Sequence, residues 1–253
     1  MALIEEIREY WNLRSSDFSD AVLYDIDSAK EKALDRIGMY LEGHEIHDIL
    51  DVGCGPGFYA IMFGSKGYNV TGIDYSDQMI EEARRNVQSK NIKASFLVMD
   101  AQKLEFPDAS FDFIVSRDVF WCLEQPKDAY SEILRVLRPG GLAIVSDGNY
   151  YLHLYNEQYA KSRGEVKEQK PAKPSNGGHY YFNKRNVDYS IIENLAFDMP
   201  LSHEERPKWD VATLCDLGCK DITIHVRNSR PFSNRDLVFS FDIIFTKGDK
   251  DGN

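Results

Sequence analysis

The stretch Ile49-Leu50-Asp51-Val52-Gly53-Cys54-Gly55-Pro56-Gly57 decides the fold of this chain. An apolar run over residues 46–52 ends in this stretch, and a Gly-x-Gly-x-Gly loop and a helical pattern from Phe58 follow. The order predicts a buried strand, a tight turn and a helix. Glycines let the backbone turn sharply and let a ligand approach it closely. A glycine-rich loop alone is weak evidence for a nucleotide-like ligand, so an ordinary turn remains the alternative.

Acidic residues end three successive predicted strands. Asp51 lies at the end of the first, Asp74 ends the second over residues 69–74, and Asp100 follows the third over residues 94–99. Asp74 lies 23 residues after Asp51, close to the spacing at which nucleotide-binding units place a carboxylate against ribose hydroxyls. Because ligands of an open parallel sheet bind outside the carboxyl ends of its strands, we expect the three carboxylates in one binding site. Unrelated solvated loop acids are the alternative.

The chain resembles the class I S-adenosylmethionine (SAM)-dependent methyltransferases, and among them the small-molecule, methyltransferase-11-like branch. The matching motifs are Asp51-Val52-Gly53-Cys54-Gly55-Pro56-Gly57, Gly72-Ile73-Asp74-Tyr75-Ser76, Asp100-Ala101, Phe111-Asp112-Phe113-Ile114-Val115-Ser116 and Leu137-Arg138-Pro139-Gly140-Gly141. The resemblance is close over residues 46–148 and loose elsewhere. It implies an α/β fold with a Rossmann-like, doubly wound, seven-stranded sheet, mostly parallel with an antiparallel last strand, plus an inserted helical lid.

Four parts are expected along the chain. Residues 1–45 form an N-terminal helical cap with helices over 2–11 and 29–41, and residues 46–148 form the SAM-binding core. Residues 149–206 break the alternation of strand and helix; they are too long for a bare connection, so they predict an inserted lid or substrate subdomain. Within this insert, residues 161–173 read as a polar loop and residues 175–178 as a turn. Residues 207–253 return to the core with one helix and the last two strands.

The resemblance implies SAM as the cofactor and S-adenosyl-L-homocysteine as the product. It assigns the ribose hydroxyls to Asp74 and the adenine amino group to Asp100, while Asp51 orients the glycine loop beside the methionine moiety. An arginine of the N-terminal cap, Arg14, is a candidate to pair with the SAM carboxylate as a bidentate fork. The candidate cofactor-binding residues are Tyr10, Arg14, Tyr24, Asp51, Gly53, Gly55, Gly57, Asp74, Tyr75, Met79, Asp100, Ala101, Ser116 and Arg117.

The same resemblance places the acceptor beside the junction after the fourth strand and beside the insert. The candidate substrate contacts are Trp121, Tyr150, Tyr151, His179 and Tyr181. His153 is the candidate general base, required only if the accepting atom carries a proton, and a packed or surface histidine is the alternative. The Asn-Pro-Pro-Tyr type of motif found in amino-methylating DNA, RNA and glutamine enzymes is absent, which counts against those substrates.

Charge and cysteine usage exclude several classes of function. The net charge of −11 opposes a nucleic-acid substrate, because phosphate backbones demand basic patches. Residues 1–45 carry eleven acids and five bases, which favours either a cationic substrate or simple solubility. The four cysteines are scattered, and Cys215-x-x-x-Cys219 lacks a second pair at zinc-site spacing, so neither a disulfide framework nor a metal site is expected. No apolar run of ~18 residues and no signal-peptide pattern occur, so we expect a cytoplasmic protein without membrane spans.

The expected function is SAM-dependent methyl transfer, by in-line displacement, to O, N or S of a small-molecule acceptor. A protein or peptide side-chain methyltransferase is the first alternative. A SAM-using enzyme or SAM-binding module that does not transfer methyl is the second. A Rossmann oxidoreductase is the third, although the Gly-x-Gly-x-Gly spacing differs from the Gly-x-Gly-x-x-Gly of dinucleotide enzymes. N-terminal helices in such enzymes also serve dimers, so a homodimer is a further expectation.

Overall fold

A mixed sheet of seven strands organises the computed structural model, which describes residues 2–168, 184–219 and 221–248. The strands run in the spatial order β3-β2-β1-β4-β5-β7-β6, and β7 is antiparallel to both of its neighbours. Their bounds are β1 Asp48–Val52, β2 Asn69–Asp74, β3 Ser95–Val98, β4 Phe111–Arg117, β5 Leu137–Gly148, β6 Ile222–Phe232 and β7 Arg235–Thr246. The predicted sheet with its antiparallel last strand is therefore confirmed.

Helices cover both faces of this sheet. Their bounds are α1 Leu3–Leu41, α2 Phe58–Gly64, α3 Asp77–Ser89, α4 Pro126–Val136, α5 Glu157–Glu168, α6 Ser190–Leu195 and α7 Lys208–Asp216, with 3-10 turns at Phe120–Cys122, Leu152–Leu154 and Pro200–Ser202. Phe63, Phe113 and Ile144 belong to the core on one face, and Tyr130 and Phe245 to the core on the other. Burial on both faces explains why the parallel strands read as apolar runs.

The N-terminal cap is one continuous helix of 39 residues, so the prediction of two separate helices was wrong. The polar segment that read as a break is helical because its side chains pack against α3 and its N-terminus. Asn12 accepts a hydrogen bond from the Ser76 hydroxyl at 2.5 Å, and the Asn86 amide donates to Ser19 Oγ at 2.9 Å. Long-range partners of this kind cannot be read from local sequence.

Predictions of helix starts were confirmed where they depended only on neighbouring residues in the sequence. The Ser76 side chain accepts a hydrogen bond from Met79 N at 3.1 Å, as expected for the cap of α3. Pro126 stands in the first turn of α4. Residues 161–168 were predicted as loop but belong to α5. The rest of that predicted loop, the turn over 175–178, His179 and Tyr181 lie outside the described residues.

The β6–β7 hairpin extends beyond the carboxyl edge of the parallel strands. The last residue of β5, Gly148, pairs with Ser240, whereas the hairpin continues to the pair Phe232–Arg235. Leu152 and Tyr159 of the insert pack against this extension. The hairpin and the insert therefore form one wall above the strand ends. No helix in the described part of the chain is long and apolar enough to cross a membrane.

Candidate active site

A cavity of about 1740 Å³ opens at the carboxyl edge of the sheet. Its walls come from α1, from the loops that follow the parallel strands, from the insert and from the β6–β7 hairpin. Ligand pockets usually measure about 300–1,000 Å³. The cavity therefore has room for a nucleotide-sized cofactor and a second small molecule together.

The glycine loop between β1 and α2 forms the floor of one half of the cavity. Gly53 has a φ of +67°, and a Cβ atom built there would lie 2.2 Å from Val119 Cγ2. The next residue is tied to the neighbouring strand, because Cys54 N donates to the Ile73 carbonyl at 2.8 Å. Only glycine fits at position 53, which agrees with the prediction of a tight, glycine-rich turn.

Asp51 places a buried carboxylate under this loop. It accepts a hydrogen bond from the backbone N–H of Ala60 in the first turn of α2, and its side chain is only 1% exposed. Burial raises the pKa of Asp51 to about 8, and the nearby positive charge of Arg117 opposes that rise. Its Oδ2 has no hydrogen-bond partner among the described residues, although Asp51 lines the cavity. A cationic donor on a ligand would satisfy this oxygen.

Asp74 and Asp100 continue the acidic rim at the ends of β2 and β3. Asp74 Oδ2 accepts from Gly55 N and Oδ1 accepts from Ser76 N, both at 2.9 Å. Burial raises the pKa of Asp74 to about 6, and these backbone bonds oppose the rise. Asp100 Oδ1 accepts from the backbone and side-chain nitrogens of Gln102. Each carboxylate offers about four lone-pair sites, so both keep acceptor capacity for ligand hydroxyl or amino groups.

Trp121 is the centre of an aromatic wall on the other side of the cavity. Its ring centroid lies 5.4 Å from that of Tyr151, 5.8 Å from that of Tyr150 and 6.4 Å from that of Trp11. Its Nε1 donates to the Asp118 carbonyl at 2.8 Å. The wall thus combines flat apolar surface with a fixed ring orientation, which suits an uncharged part of a small ligand.

Two groups capable of accepting a proton border the aromatic wall. Arg163 Nη1 lies 2.7 Å from Nδ1 and 2.9 Å from Nε2 of His153. Asp118, directly after β4, accepts a hydrogen bond from the Tyr150 hydroxyl. Both acceptors line the cavity.

The structure brings most of the predicted site residues to this one cavity. Those that line it are Tyr10, Tyr24, Asp51, Gly53, Gly55, Asp74, Tyr75, Met79, Asp100, Ala101, Arg117, Trp121, Tyr150, Tyr151 and His153. Arg14 does not line it: this arginine is 1% exposed, lies 4.0 Å from Asp17 and covers the Tyr189 ring. Gly57 backs onto Ala83 of α3, and Ser116 pairs with Val145 on the face of the sheet turned away from α1.

Several lining residues escaped sequence reasoning. They are Arg8, Arg36, Tyr59, Arg163, His225, Arg227 and Arg230. One available signal was the occurrence of two basic residues, His225 and Arg227, close together on one strand, although the register of β6 is irregular after Val226. That signal gains meaning only when the neighbouring strand is known, because an exposed strand face carries polar residues without any site.

Comparisons with known proteins agree with this geometry over the core. A family model described as a methyltransferase domain matches residues 50–145. A 2-methyl-6-phytyl-1,4-hydroquinone methyltransferase of Synechocystis is 39% identical over 102 residues, which are 40% of this chain and 32% of that protein. A malonyl-[acyl-carrier protein] O-methyltransferase of Serratia marcescens is 32% identical over 135 residues, which are 52% of this chain and 51% of that protein. The chain thus spans about a third to a half of the length of these curated relatives.

Solved structures extend the likeness to most of the chain. A SAM-dependent methyltransferase of Methanosarcina mazei superimposes with a TM-score of 0.55 at 25% identity, covering 84% of this chain and 97% of that one. A putative SAM-dependent methyltransferase of Methanococcus maripaludis, at 20% identity and a TM-score of 0.54, covers 98% of this chain and 94% of that one and supports the fold. The strand order, the glycine loop with its three carboxylates and these matches agree: residues 50–145 match a methyltransferase domain, and the chain is similar to class I SAM-dependent methyltransferases.

Proposed function

We propose that the protein transfers the methyl group of SAM to an O, N or S atom of a small-molecule acceptor. The observation that carries this proposal is a single cavity in which the acidic, glycine-lined half adjoins the aromatic wall around Trp121. The name of one curated relative supports a methyl acceptor of small size, a hydroquinone, whereas another is named for a malonyl group on an acyl-carrier protein.

The residues of the acidic half fit the cofactor. Asp74 would hold the ribose hydroxyls and Asp100 the adenine amino group. The unpartnered Oδ2 of Asp51 fits the cationic amino group of the methionine end. Arg117 lines the cavity and lies over the Phe58 ring at 3.9 Å, so it takes the place of Arg14 as the candidate partner of the SAM carboxylate.

When bound, SAM supplies a methyl group already activated by the sulfonium. The work left to this chain is mainly to position the acceptor and to exclude water, since displacement depends on collinear approach of the nucleophile. The acceptor is positioned from one side by the rings of Trp121, Tyr150 and Tyr151. Helix α1 covers the cavity from another side and excludes water. If the accepting atom carries a proton, His153 and Asp118 are the candidate acceptors for it.

Calorimetric titration tests the cofactor assignment. We expect SAM and S-adenosyl-L-homocysteine to bind with micromolar affinity and NADH not to bind. Asp74→Ala should abolish binding, whereas Asp198→Ala, an exposed aspartate outside the cavity lining, should leave it unchanged. Unchanged affinity in Asp74→Ala would refute the site.

Product analysis and acceptor screening decide between the remaining functions. Release of S-adenosyl-L-homocysteine indicates methyl transfer, whereas methylthioadenosine indicates a SAM-using enzyme of another kind. Turnover with peptides but not with metabolites would favour a side-chain methyltransferase. A cytoplasmic location, the exclusion of nucleic acid and a homodimer stay predictions of the sequence.

A further inference from the structure

Two arginines and a histidine line the cavity on the side away from the acidic half. We call this group the cationic subsite and define it by Arg36 of α1 and by His225 and Arg227 of β6. Strands β4, β5 and β7 separate β1 from β6. At ~4.8 Å per strand, β6 lies roughly 19 Å from β1, and β7, which carries the shared partner Asp242, lies roughly 14 Å from it.

Strand register brings the subsite together. Arg117 pairs with Ser146, Ser146 with Asp242, and Asp242 with His225. Paired residues on neighbouring strands turn their side chains to the same face, so these four form one polar row across the sheet. The row lies on the face covered by α1 and α2, just beyond the apolar core that ends at Ile144 and Ile244.

Asp242 is the fixed centre of this row. Its carboxylate is 1% exposed and accepts the Ser146 hydroxyl at 2.6 Å. Arg227 Nε lies 3.0 Å from its Oδ1, Arg36 Nε lies 3.5 Å from its Oδ2, and His225 Nδ1 lies 3.7 Å from Oδ2. Two guanidinium groups thus share one carboxylate, which leaves an excess of positive charge.

Both arginines keep donors for another partner. Each approaches Asp242 through Nε, and the structure records no hydrogen bond from the terminal nitrogens of Arg36 to a described residue. Arg227 Nη2 is engaged by the backbone carbonyls of Asp147 and Phe241 at 3.2 and 3.3 Å. The side chains of Arg36 and Arg227 are 28% and 23% exposed, and both residues line the cavity.

Tyr59 borders this row from α2. Its ring is 2% exposed and lines the cavity, and its hydroxyl lies beside the Ser146 side chain, whose own hydroxyl donates to Asp242. Tyr59 thus adds a polar atom next to the subsite.

A purely structural ion cluster is the competing explanation. Such a cluster is expected to balance its charges, whereas among the described residues Asp242 is the one carboxylate recorded as an ion-pair partner of Arg36 and of Arg227. The excess stands out in a chain whose net charge is −11.

We propose that the cationic subsite binds an anionic group of the methyl acceptor, a carboxylate or a phosphate. The planar forks of Arg36 and Arg227 match both groups, which arginine binds with charge-assisted hydrogen bonds. The acceptor is then a small acid whose uncharged part lies against the aromatic wall around Trp121. This rests on the proposed function, because the anion is assigned to the acceptor.

The test begins with the protein saturated with S-adenosyl-L-homocysteine and titrated with inorganic phosphate or with acetate, at constant ionic strength in chloride. We expect saturable millimolar binding of at least one anion. The anion that binds more tightly identifies the anionic group of the acceptor as a phosphate or a carboxylate. Arg36→Gln and Arg227→Gln should each weaken it at least tenfold. The exposed Arg85→Gln, whose partners are Glu81 and Glu82 on α3, should leave it unchanged.

The affinity for S-adenosyl-L-homocysteine separates this proposal from the proposed function. If that ligand does not bind, the cofactor assignment itself is refuted. If it binds with unchanged affinity in both variants while the anion is lost, the subsite is supported. Absence of saturable anion binding to the wild-type protein, or binding that Arg36→Gln and Arg227→Gln leave intact, overturns the proposal.

A second measurement does not depend on the glutamine variants folding. Acceptor screening should include each acid together with its uncharged amide, with S-adenosyl-L-homocysteine release as the readout. We expect the acid to be at least tenfold better in kcat/KM than its amide, and Arg227→Lys to retain part of that preference. Equal turnover of acid and amide would contradict an anionic acceptor.

Discussion

Nη1 of Arg206 lies 2.6 Å from Oδ2 of Asp147, and both side chains are fully buried. Arg206 also binds Asp210, and Asp147 Oδ2 accepts from the backbone N–H of Trp121 at 3.0 Å. Burial raises the pKa of Asp147 to about 6, and the charge of Arg206 opposes that rise. One buried guanidinium thus joins the insert to the end of β5 and to the aromatic wall.

Arg206→Met should destabilise the protein by about 3–5 kcal/mol, because it leaves two buried carboxylates without their cation. The free energy of unfolding in urea measures this. The triple variant that adds Asp147→Asn and Asp210→Asn should recover much of the loss, since the uncompensated charges are then gone. A loss below about 1 kcal/mol in Arg206→Met would show that the network contributes little.

The three carboxylates at the strand ends were predictable because each belongs to a short local pattern. Asp51, Asp74 and Asp100 follow apolar strands in sequence, and the rule that ligands bind at the carboxyl ends of parallel strands places them together. The structure puts all three in one cavity. The protonation state of Asp51 was not predictable. Its pKa is raised by burial, and burial depends on the packing of distant parts of the chain.

The parts that sequence reasoning missed depend on which elements become neighbours. Arg14 was a reasonable partner for a carboxylate, yet the continuous helix α1 turns it toward Asp17 and Tyr189. The pairing of His225 with Asp242 follows from the antiparallel register of the last hairpin. The side of a long helix that faces the cavity depends on packing along the whole helix. The register of a hairpin depends on both of its strands. Neither can be read from the few residues that carry the chemistry.

Asp51 should make cofactor binding depend on pH. Its pKa of about 8 means that the free protein holds a proton there at neutral pH. A cationic amino group beside Oδ2 favours the carboxylate form, so binding releases that proton. The affinity for S-adenosyl-L-homocysteine should therefore rise with pH toward about pH 8, by up to tenfold per unit.

Calorimetry in buffers of different ionisation enthalpy measures this proton release directly. Asp51→Asn should bind more weakly and show a flat profile above about pH 7, because Asp74, with a pKa of about 6, is largely ionised there. A wild-type affinity that does not change between pH 6 and pH 8 would contradict the contact between Asp51 and the cofactor amino group.

Gly53→Ala should weaken S-adenosyl-L-homocysteine binding by more than about tenfold. The φ of +67° is strained for alanine by roughly 1–2 kcal/mol, and the new Cβ would lie 2.2 Å from Val119 Cγ2. Calorimetric affinity and the melting temperature are the two measurements. The double variant Gly53→Ala/Val119→Ala removes the clash but keeps the backbone strain, so we expect partial recovery. Full recovery would attribute the whole effect to the clash, and no loss in the single variant would refute the tight loop.

Asp118 and His153 can be separated as proton acceptors once an acceptor substrate is known. Both ring nitrogens of His153 lie within 2.9 Å of Arg163 Nη1, so this ring is engaged, whereas Asp118 is held at the end of β4 by the Tyr150 hydroxyl. For an acceptor that loses a proton we expect Asp118→Asn to lower kcat by about a hundredfold or more, the range of general-base catalysis, and His153→Gln to lower it less than tenfold.

Tyr150→Phe is the matched control, because it keeps the Asp118 carboxylate and removes only its donor. The reverse order of the two effects would assign the base to His153, and equal small effects would indicate an acceptor that needs no base.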